Sequence, residues 1–321
     1  MGKLILPNVD EVGTIACFGT GTMFRGWAAL FLSAGLRVVA YDPIAAARAS
    51  AQADVEKFVA WLHAKGKLLP QTAGADPSAI MRNLTILDDL SGFANLHPEI
   101  AFEIVTENRD LKAKVFAQMN ELFGPQVIFW SNTSGITTIA DISGRPDRTL
   151  VTHGMNPPHL TKAVEVVPHE LLDPAVLDFT HRFLRERLGK ITFNAPNVPG
   201  FLVNRLGIPF WLNVIFLIEE EGTSVQDIDT GITGSLGHPQ GPCLLMDLIG
   251  LDVMKLVSDD MYNAEVRSRF EDQFETPELL DSMVECGNLG KKSGKGFYDW
   301  SDPKNPQPIP VDQLAQPRPA A

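Results

Sequence analysis

The feature that most constrains the fold is a glycine turn between two apolar segments near the start of the chain. Residues 12–18 are apolar and β-prone, and Gly19 and Gly21 follow them directly. An apolar stretch from Thr22 to Gly35 predicts a helix, and the segment LRVVAYDP predicts a second strand that ends at Asp42. Strand, glycine turn, helix, strand and acid is the order of a dinucleotide-binding βαβ unit. The sequence therefore predicts a parallel α/β sheet in the first part of the chain.

Five residues of this unit match what NAD requires, and we predict a Rossmann-type NAD site. Gly19 permits the tight turn, and Gly21 lets the backbone approach a pyrophosphate. The free N–H groups at the helix start, at Thr22 and Met23, suit phosphate oxygens. Asp42 can accept hydrogen bonds from the ribose hydroxyls. An acid at this position favours NAD over NADP, because it repels a 2′-phosphate.

One position departs from the usual glycine pattern. The third glycine of G-x-G-x-x-G falls on Phe24, so we expect the first helix to be pushed away from the first strand or rotated. Gly26 is expected to restore part of the close approach. The alternative is a Rossmann-like fold whose nucleotide site has degenerated.

A second group of polar residues lies between Ser131 and Glu165. Ser134 follows the apolar run VIFW, His153 follows the extended segment TLVT, and Glu165 lies in the alternating segment KAVEVV. Each is expected at or near a strand end, where a sheet holds it still. A histidine that accepts a proton needs a partner on its other nitrogen, and a carboxylate on a neighbouring strand can supply one. A structural histidine at a strand end is the competing interpretation.

The order of segments predicts two domains. Strands and helices alternate up to the turn NVPG, and strand signals nearly cease after it. We predict an α/β fold with a Rossmann-type N-terminal domain at residues 1–197 and an all-α domain at 198–300. Residues 301–321 form a proline-rich tail, expected to be an extended, partly disordered arm. The helix at 207–218 is apolar nearly all round, which predicts burial in a core or in a subunit interface.

Composition excludes several classes of function. A net charge of −12 argues against nucleic acid as a partner. Three scattered cysteines are too few for a disulfide framework, so we expect a reducing compartment, the cytoplasm. No apolar run approaches a membrane span in length. The histidines make no H-E-x-x-H motif, so we predict no metal, and Ser134 lacks the G-x-S-x-G elbow of a hydrolase.

Eight motifs, in order, resemble those of the L-3-hydroxyacyl-CoA dehydrogenases. They are GTGTMFRGWA, TENRDLK, SNTSGI, H-x-x-NPP, VEVV, PGFLVNRL, GHPQGP and LGKKSGKGFYDW, and they extend from the first strand to about residue 300. The resemblance implies a Rossmann-type NAD domain followed by a helical domain that forms much of a homodimer interface. It also implies NAD-dependent oxidation of a 3-hydroxyacyl-CoA to the 3-ketoacyl-CoA, and the reverse reaction.

Residue roles follow from the same resemblance, position by position. His153 matches the catalytic base, and Glu165 matches the carboxylate that orients it. Ser134 matches the serine that contacts the substrate hydroxyl, and Asn204 matches the asparagine that helps hold the reacting oxygen. The positions that match cofactor contacts are Gly19, Gly21, Asp42, Glu107 and Lys112. As isolated charges, the last two would by default be surface residues.

The sequence departs from the family beside the base and leaves the substrate open. Family members commonly have two aromatic residues after the histidine, where this chain has Gly154 and Met155. We expect the missing ring to open volume for the acyl chain and thus for a bulkier substrate. The CoA moiety is expected along residues 57–88, with Lys57 and Lys65 among its contacts.

Two other functions remain possible at this stage. One is an NAD-dependent dehydrogenase of a free hydroxy acid or a carnitine-like alcohol. The other is a non-catalytic NAD sensor, whose only support in the sequence is Phe24. The joint presence of Ser134, His153, Glu165 and Asn204 favours an enzyme over a sensor, because a non-enzyme has no physical need for all four.

Overall fold

The structure, a computed structural model, describes residues 5–263 and 272–317. The chain divides into two compact units, Met1–Phe201 and Leu202–Ala321, and each has its own apolar core. Within the described ranges, no helix combines the length and apolarity needed to cross a membrane.

The first unit is built on an eight-stranded sheet. Its strands are β1 (Thr14–Phe18), β2 (Arg37–Tyr41), β3 (Leu84–Leu87), β4 (Ile100–Glu103), β5 (Ile128–Ser131), β6 (Thr149–Gly154), β7 (Ala163–Val167) and β8 (Ile191–Asn194). Their spatial order is β3-β2-β1-β4-β5-β6-β7-β8. Neighbouring strands are parallel except β6 and β7, which are antiparallel. The strand order reverses between β1 and β4, and open α/β sheets bind ligands at the carboxyl ends of the strands at such a point.

The helices of the first unit connect these strands. They are α1 (Thr22–Ser33), α2 (Ala45–Ala64), α3 (Pro77–Met81), α4 (Arg109–Leu122), α5 (Ile139–Ser143) and α6 (Pro174–Arg182), the last continued by a π-helical turn, Phe183–Arg187. Asn108 caps α4 by accepting from the Leu111 N–H at 2.9 Å, as an N-cap residue does. Strands β4, β5 and β6 are buried along their whole length, as expected for a parallel sheet covered on both faces. The prediction of a Rossmann-type first unit is confirmed.

The first helix carries two of the residues singled out in the glycine pattern. Phe24 is completely buried in the core of the first unit, and the displacement or rotation of α1 expected from it stays a prediction. The expectation that Gly26 restores contact with the strand is wrong. A Cβ at Gly26 would lie 2.5 Å from Pro158 Cδ. This glycine therefore permits close approach to the loop after β6.

Over its described residues, the second unit consists mainly of helices and has one short pair of named strands. Its helices are α7 (Val203–Glu221), α8 (Val225–Leu236), α9 (Pro242–Ile249), α10 (Leu251–Asn263) and α11 (Glu278–Glu285), and its strands are β9 (Tyr298–Asp299) and β10 (Gln307–Pro308). Helix α7 buries Ile208, Leu212 and Ile215 in the core of this unit. Its Leu206 is 67% exposed and its Leu217 45% exposed, so one face of α7 is not covered within the unit.

The proline-rich tail is not an extended arm over the part that the structure describes. Strand β10 pairs with β9, and Leu314 is completely buried in the core of the second unit. Asn288 Nδ2 donates to the carbonyls of Leu314 and Gln316, each at 2.8 Å. The expectation of an extended arm is therefore wrong up to residue 317, because aliphatic side chains between the prolines supply apolar area to bury. Residues 318–321 lie outside the described ranges.

Candidate active site

The antiparallel pairing of β6 and β7 places His153 opposite Glu165. His153 Nδ1 lies 2.6 Å from Glu165 Oε2, and the carboxylate is completely buried. An ionised carboxylate can only accept hydrogen bonds, so this partner assigns the proton of a neutral imidazole to Nδ1. Nε2 is then the nitrogen that can accept a proton. The geometry is that of a base held by an orienting carboxylate.

Phe201 completes the surroundings of the imidazole. Its ring is buried and lies 5.8 Å from the His153 ring, centroid to centroid, at an interplanar angle of 61°. Phe201 has a φ of +48°, the one positive value at a described residue other than glycine. This contact could not be predicted from the sequence, because Phe201 follows β8 and is distant from His153 along the chain.

Glu107 holds the turn that carries Ser134. Its Oε1 accepts from the Ser134 N–H at 2.9 Å, from the Ser134 hydroxyl at 3.2 Å and from the Gly135 N–H at 3.2 Å. The Thr133 hydroxyl donates to the same oxygen. Burial favours a raised pKa at Glu107, but the Lys112 ammonium and these hydrogen bonds outweigh it and lower the pKa. The carboxylate is thus ionised and fixes the backbone around Ser134.

Lys112 is buried between two carboxylates, so the default assignment of this lysine to the surface is wrong. Its side chain is 1% exposed, and Nζ lies 2.7 Å from Glu103 Oε1 and 3.4 Å from Glu107 Oε2. Glu103 is completely buried and accepts from the Ser131 hydroxyl at 2.5 Å. Sequence reasoning missed Glu103, although an acid inside the apolar strand IAFE is itself a signal. Lys112 therefore supports Glu107, and through it the Ser134 turn.

The glycine turn after β1 fits a dinucleotide. Gly19 has a φ of +100°, and a Cβ there would lie 2.5 Å from the Ile104 carbonyl oxygen, so a larger residue is excluded. At Gly21 no described heavy atom beyond the adjacent residues lies within 4 Å of a Cβ position, and Gly21 is the N-cap of α1 and supplies no side-chain cap. The first N–H groups of the helix, at Thr22 and Met23, thus face an open cradle.

Two polar groups beside this cradle agree with a bound nucleotide. The Thr20 hydroxyl is buried and has no hydrogen-bond partner among the described residues. Asp42 follows β2, and its carboxylate accepts from the Thr20 N–H at 2.8 Å and from the Ile44 N–H at 2.9 Å. These bonds fix the acid at the edge of the turn, where ribose hydroxyls are expected. The residues present therefore fit NAD.

Gly154 does not open space beside the base, and that expectation is wrong. A Cβ at Gly154 would lie 2.5 Å from Trp27 Cζ2, so the indole of Trp27 fills the volume that a side chain would take. Gly154 also follows His153 directly in β6, and successive side chains of a strand point to opposite faces. The missing side chain thus belongs to the face opposite the imidazole. The residue that fills this space, Trp27, is visible in the sequence, but no local pattern predicts that it packs against residue 154.

The remaining predicted residues occupy different places. Met155 is half-buried, and its carbonyl accepts from the Thr161 hydroxyl at 3.0 Å. Lys57 is 73% exposed and pairs with Asp54 at 3.0 Å, and Lys65 is exposed at the end of α2. Asn204 is the second residue of α7, in the second unit. Among the described residues, no three His, Cys, Asp or Glu side chains cluster as a metal site would require.

Comparison with known proteins assigns both units to one family. The model of the 3-hydroxyacyl-CoA dehydrogenase NAD binding domain matches residues 14–197, and that of the 3-hydroxyacyl-CoA dehydrogenase C-terminal domain matches residues 200–300. A 3-hydroxybutyryl-CoA dehydrogenase of Mycobacterium tuberculosis is 31% identical over 91% of this chain and 99% of its own. The mitochondrial hydroxyacyl-coenzyme A dehydrogenase of Rattus norvegicus is 30% identical over 93% of this chain and 92% of its own.

A solved structure agrees with these matches. The crystal structure of the (S)-3-hydroxybutyryl-CoA dehydrogenase of Ralstonia eutropha superposes with a TM-score of 0.76 at 31% identity, covering 89% of this chain and 98% of that one. The predicted cofactor, NAD, and the predicted class, an NAD-dependent oxidoreductase, are confirmed by these relatives. The chain belongs to the 3-hydroxyacyl-CoA dehydrogenase family, and its first unit contains the NAD-binding domain of that family.

Proposed function

We propose that this protein oxidises a 3-hydroxyacyl-CoA to the 3-ketoacyl-CoA with NAD⁺ and catalyses the reverse reaction with NADH. The buried His153–Glu165 pair carries the proposal, because it leaves one imidazole nitrogen ready to accept a proton. Oxidation of a secondary alcohol needs a base of this kind, and a histidine is suited to the role near neutral pH.

Four side chains of this protein are proposed to transfer the substrate's hydroxyl proton and to hold the reacting oxygen. His153 Nε2 accepts the hydroxyl proton of the substrate, and Glu165 stabilises the imidazolium that forms, by an amount on the order of a few kcal/mol. The turn at Gly19 and Gly21 and the Asp42 carboxylate would hold NAD⁺, which would supply the hydride acceptor for the carbon that carries this hydroxyl.

Ser134 contacts the reacting oxygen, as the resemblance implies, from a turn that Glu107 holds through the Ser134 N–H. Asn204 keeps the role that the resemblance implies, which is to help hold that oxygen.

We place the substrate among the short-chain CoA thioesters. A Mycobacterium tuberculosis relative is named for 3-hydroxybutyryl-CoA. Gly154 gives no reason to expect a bulkier substrate, because the Trp27 indole fills the space beside it, on the strand face opposite the imidazole. Lys57 and Lys65 are exposed cations on and after α2 that suit the anionic groups of CoA. These lysines are the residues proposed to contact it.

The substrate class is tested by offering 3-hydroxybutyryl-CoA, free 3-hydroxybutyrate and carnitine separately with NAD⁺ and following NADH absorbance. We expect NADH only from the CoA thioester. Turnover of the free acid or of carnitine alone would replace the CoA assignment by the alternative of a non-CoA alcohol. Tight NAD binding without turnover of any of the three would favour the sensor.

We also propose a homodimer in a reducing cytoplasm. The second unit leaves large apolar side chains exposed within one chain, namely Leu206 at 67%, Leu236 at 63%, Leu256 at 60% and Tyr262 at 51%. Apolar surface of this kind favours association, and a twofold dimer is the commonest soluble assembly. The three cysteines are free thiols, with Cys17 and Cys243 buried, which is compatible with a reducing compartment.

A further inference from the structure

We propose that Trp27 is a positioning residue, which joins the cofactor-binding helix α1 to the two strand ends that carry Ser134 and His153. The proposal rests on the proposed function, since it explains how that site is held. Trp27 lies on α1, whose first residues form the nucleotide cradle. The residues that Trp27 contacts lie next to the reacting groups on two other elements.

One amide oxygen links the three elements. Trp27 Nε1 donates to Asn132 Oδ1 at 2.7 Å, and the Gly154 N–H donates to the same oxygen at 3.3 Å. Asn132 follows β5 and comes two residues before Ser134. Gly154 is the residue after His153 in β6. The indole N–H therefore holds the side chain of a residue just before the serine turn, and the same side chain accepts a hydrogen bond from the strand of the base.

Steric fit supports the same link. A Cβ at Gly154 would lie 2.5 Å from Trp27 Cζ2, 3.0 Å from Cε2 and 3.3 Å from Nε1. The φ of Gly154 is not among the positive values in the chain, so its backbone could be adopted by any residue. The indole, rather than the backbone conformation, is what requires glycine beside the base.

The indole has no room to withdraw. Trp27 is completely buried, its ring stacks on Phe31 with centroids 5.4 Å apart, and it meets Phe102 edge-on at 5.4 Å. A side chain at residue 154 must therefore move β6 rather than the tryptophan. Displacement of a catalytic group by about 1 Å can lower the rate about 10²-fold. A small shift of β6, which carries His153, is therefore expected to lower kcat.

The test is a double-variant cycle on turnover of 3-hydroxybutyryl-CoA with NAD⁺. Gly154→Ala is expected to lower kcat by about tenfold or more, with the KM for NAD⁺ changed by less than about threefold. Trp27→Leu removes the atoms that the new Cβ would meet. The double variant Trp27→Leu/Gly154→Ala is therefore expected to have a higher kcat than Gly154→Ala alone, although it carries one more change.

Trp27→Phe and Gly124→Ala complete the set. Trp27→Phe keeps an aromatic ring but removes the N–H donor, and we expect a kcat reduced by about fivefold or more at nearly constant KM. Gly124→Ala is the matched control, because a Cβ there meets nothing within 4 Å and its φ is not positive. If Gly154→Ala does not fold, Trp27→Phe decides the question alone.

Two results would overturn the proposal. One is wild-type kcat in Trp27→Phe. The other is a double variant whose fold reduction in kcat equals the product of the fold reductions in the two single variants. Failure of the proposed function looks different, since wild type then turns over no 3-hydroxyacyl-CoA. In that case the unfolding temperature reports the link, and the double variant must be more stable than Gly154→Ala alone. A double variant that is no more stable would refute the link itself.

Discussion

At the scale of single residues, a buried carboxylate decides which nitrogen of His153 can take a proton. Glu165 is completely buried and bonds Nδ1 at 2.6 Å. The register of β6 and β7 alone brings the two side chains together. The pair therefore needs no loop to position it, which is how precise sites are usually held.

Glu165→Gln tests this assignment of the proton. A glutamine amide can donate to Nδ1, which places the imidazole proton on Nε2 and removes the acceptor. We expect kcat to fall by about 10²-fold or more, as when a base loses its correct tautomer, while NAD binding is retained. The measurement is steady-state NADH formation together with NAD titration by calorimetry.

A matched control separates charge from position. Glu121→Gln removes a carboxylate from an exposed site on α4, and wild-type kcat is expected. A Glu165→Gln variant with wild-type kcat would show that the carboxylate does not set the tautomer.

Residue identities at this site could be predicted from the sequence much better than the volume around them. Ser134, His153 and Glu165 stand in motifs with fixed local spacing. The space beside Gly154 depends on Trp27, which lies in a different element and far away in the sequence. Glu103 and Lys112 were missed as a buried pair for the same reason, because β4 and α4 must first pack together before the charges meet.

At the scale of elements, the turn between β1 and α1 contains two glycines that are required for different reasons. Gly19 is required by the fold, since its φ is +100° and a Cβ would strike the Ile104 carbonyl. Gly21 has an ordinary φ of −69° and open space around it. A side chain at Gly21 is therefore compatible with the folded protein but is expected to occupy the place that we propose for the pyrophosphate.

Gly21→Val is expected to weaken NAD binding by about 10²-fold or more, because the isopropyl group blocks backbone contact with the phosphates. The unfolding temperature without NAD should stay within a few degrees of wild type. Calorimetric NAD titration and thermal unfolding check the two statements. Wild-type NAD affinity in the folded variant would place the cofactor elsewhere.

The loop after β6 contains a histidine that makes stability depend on pH. His159 stacks on Phe58 of α2 with centroids 4.3 Å apart. Burial, with the charge of Lys190 second, lowers the pKa of His159 from 6.5 to about 4. Between these values the unfolded chain binds a proton that the folded chain does not, so stability falls as pH falls through this window.

His159→Phe keeps the stacking and removes the titration. We expect the unfolding temperature of wild type to drop more between about pH 7 and pH 5 than that of the variant. Only in wild type does protonation of residue 159 in the unfolded chain lower the free energy of unfolding. Thermal unfolding at matched ionic strength measures the difference. Equal drops in the two proteins would mean that His159 is not held neutral by the fold.

At the scale of the whole molecule, alternating strands and helices followed by helices could be recognised from periodicity and turn residues. The tail could not, because its prolines predicted an arm while Ile309 and Leu314 pack into the second unit. Two buried aliphatic residues among prolines carry too weak a periodic signal to find from the sequence. The uncovered face of α7 also becomes visible only in the folded unit.

Association of two chains is the prediction at this scale. Exposed leucines on α7, α8 and α10 are expected to be covered by a second copy, so the protein should sediment at about twice the chain mass of 35.1 kDa. Analytical ultracentrifugation over a range of concentrations measures this. A single species at the chain mass at every concentration would refute the dimer.

The most direct test of the account is turnover of 3-hydroxybutyryl-CoA by wild type and His153→Asn at saturating NAD⁺, with NAD affinity measured in parallel. The account predicts NADH formation by wild type and a kcat lower by about 10²–10⁴-fold in the variant, with NAD affinity changed by less than about threefold. A His153→Asn variant that forms NADH at the wild-type rate would contradict the assignment of His153 as the base.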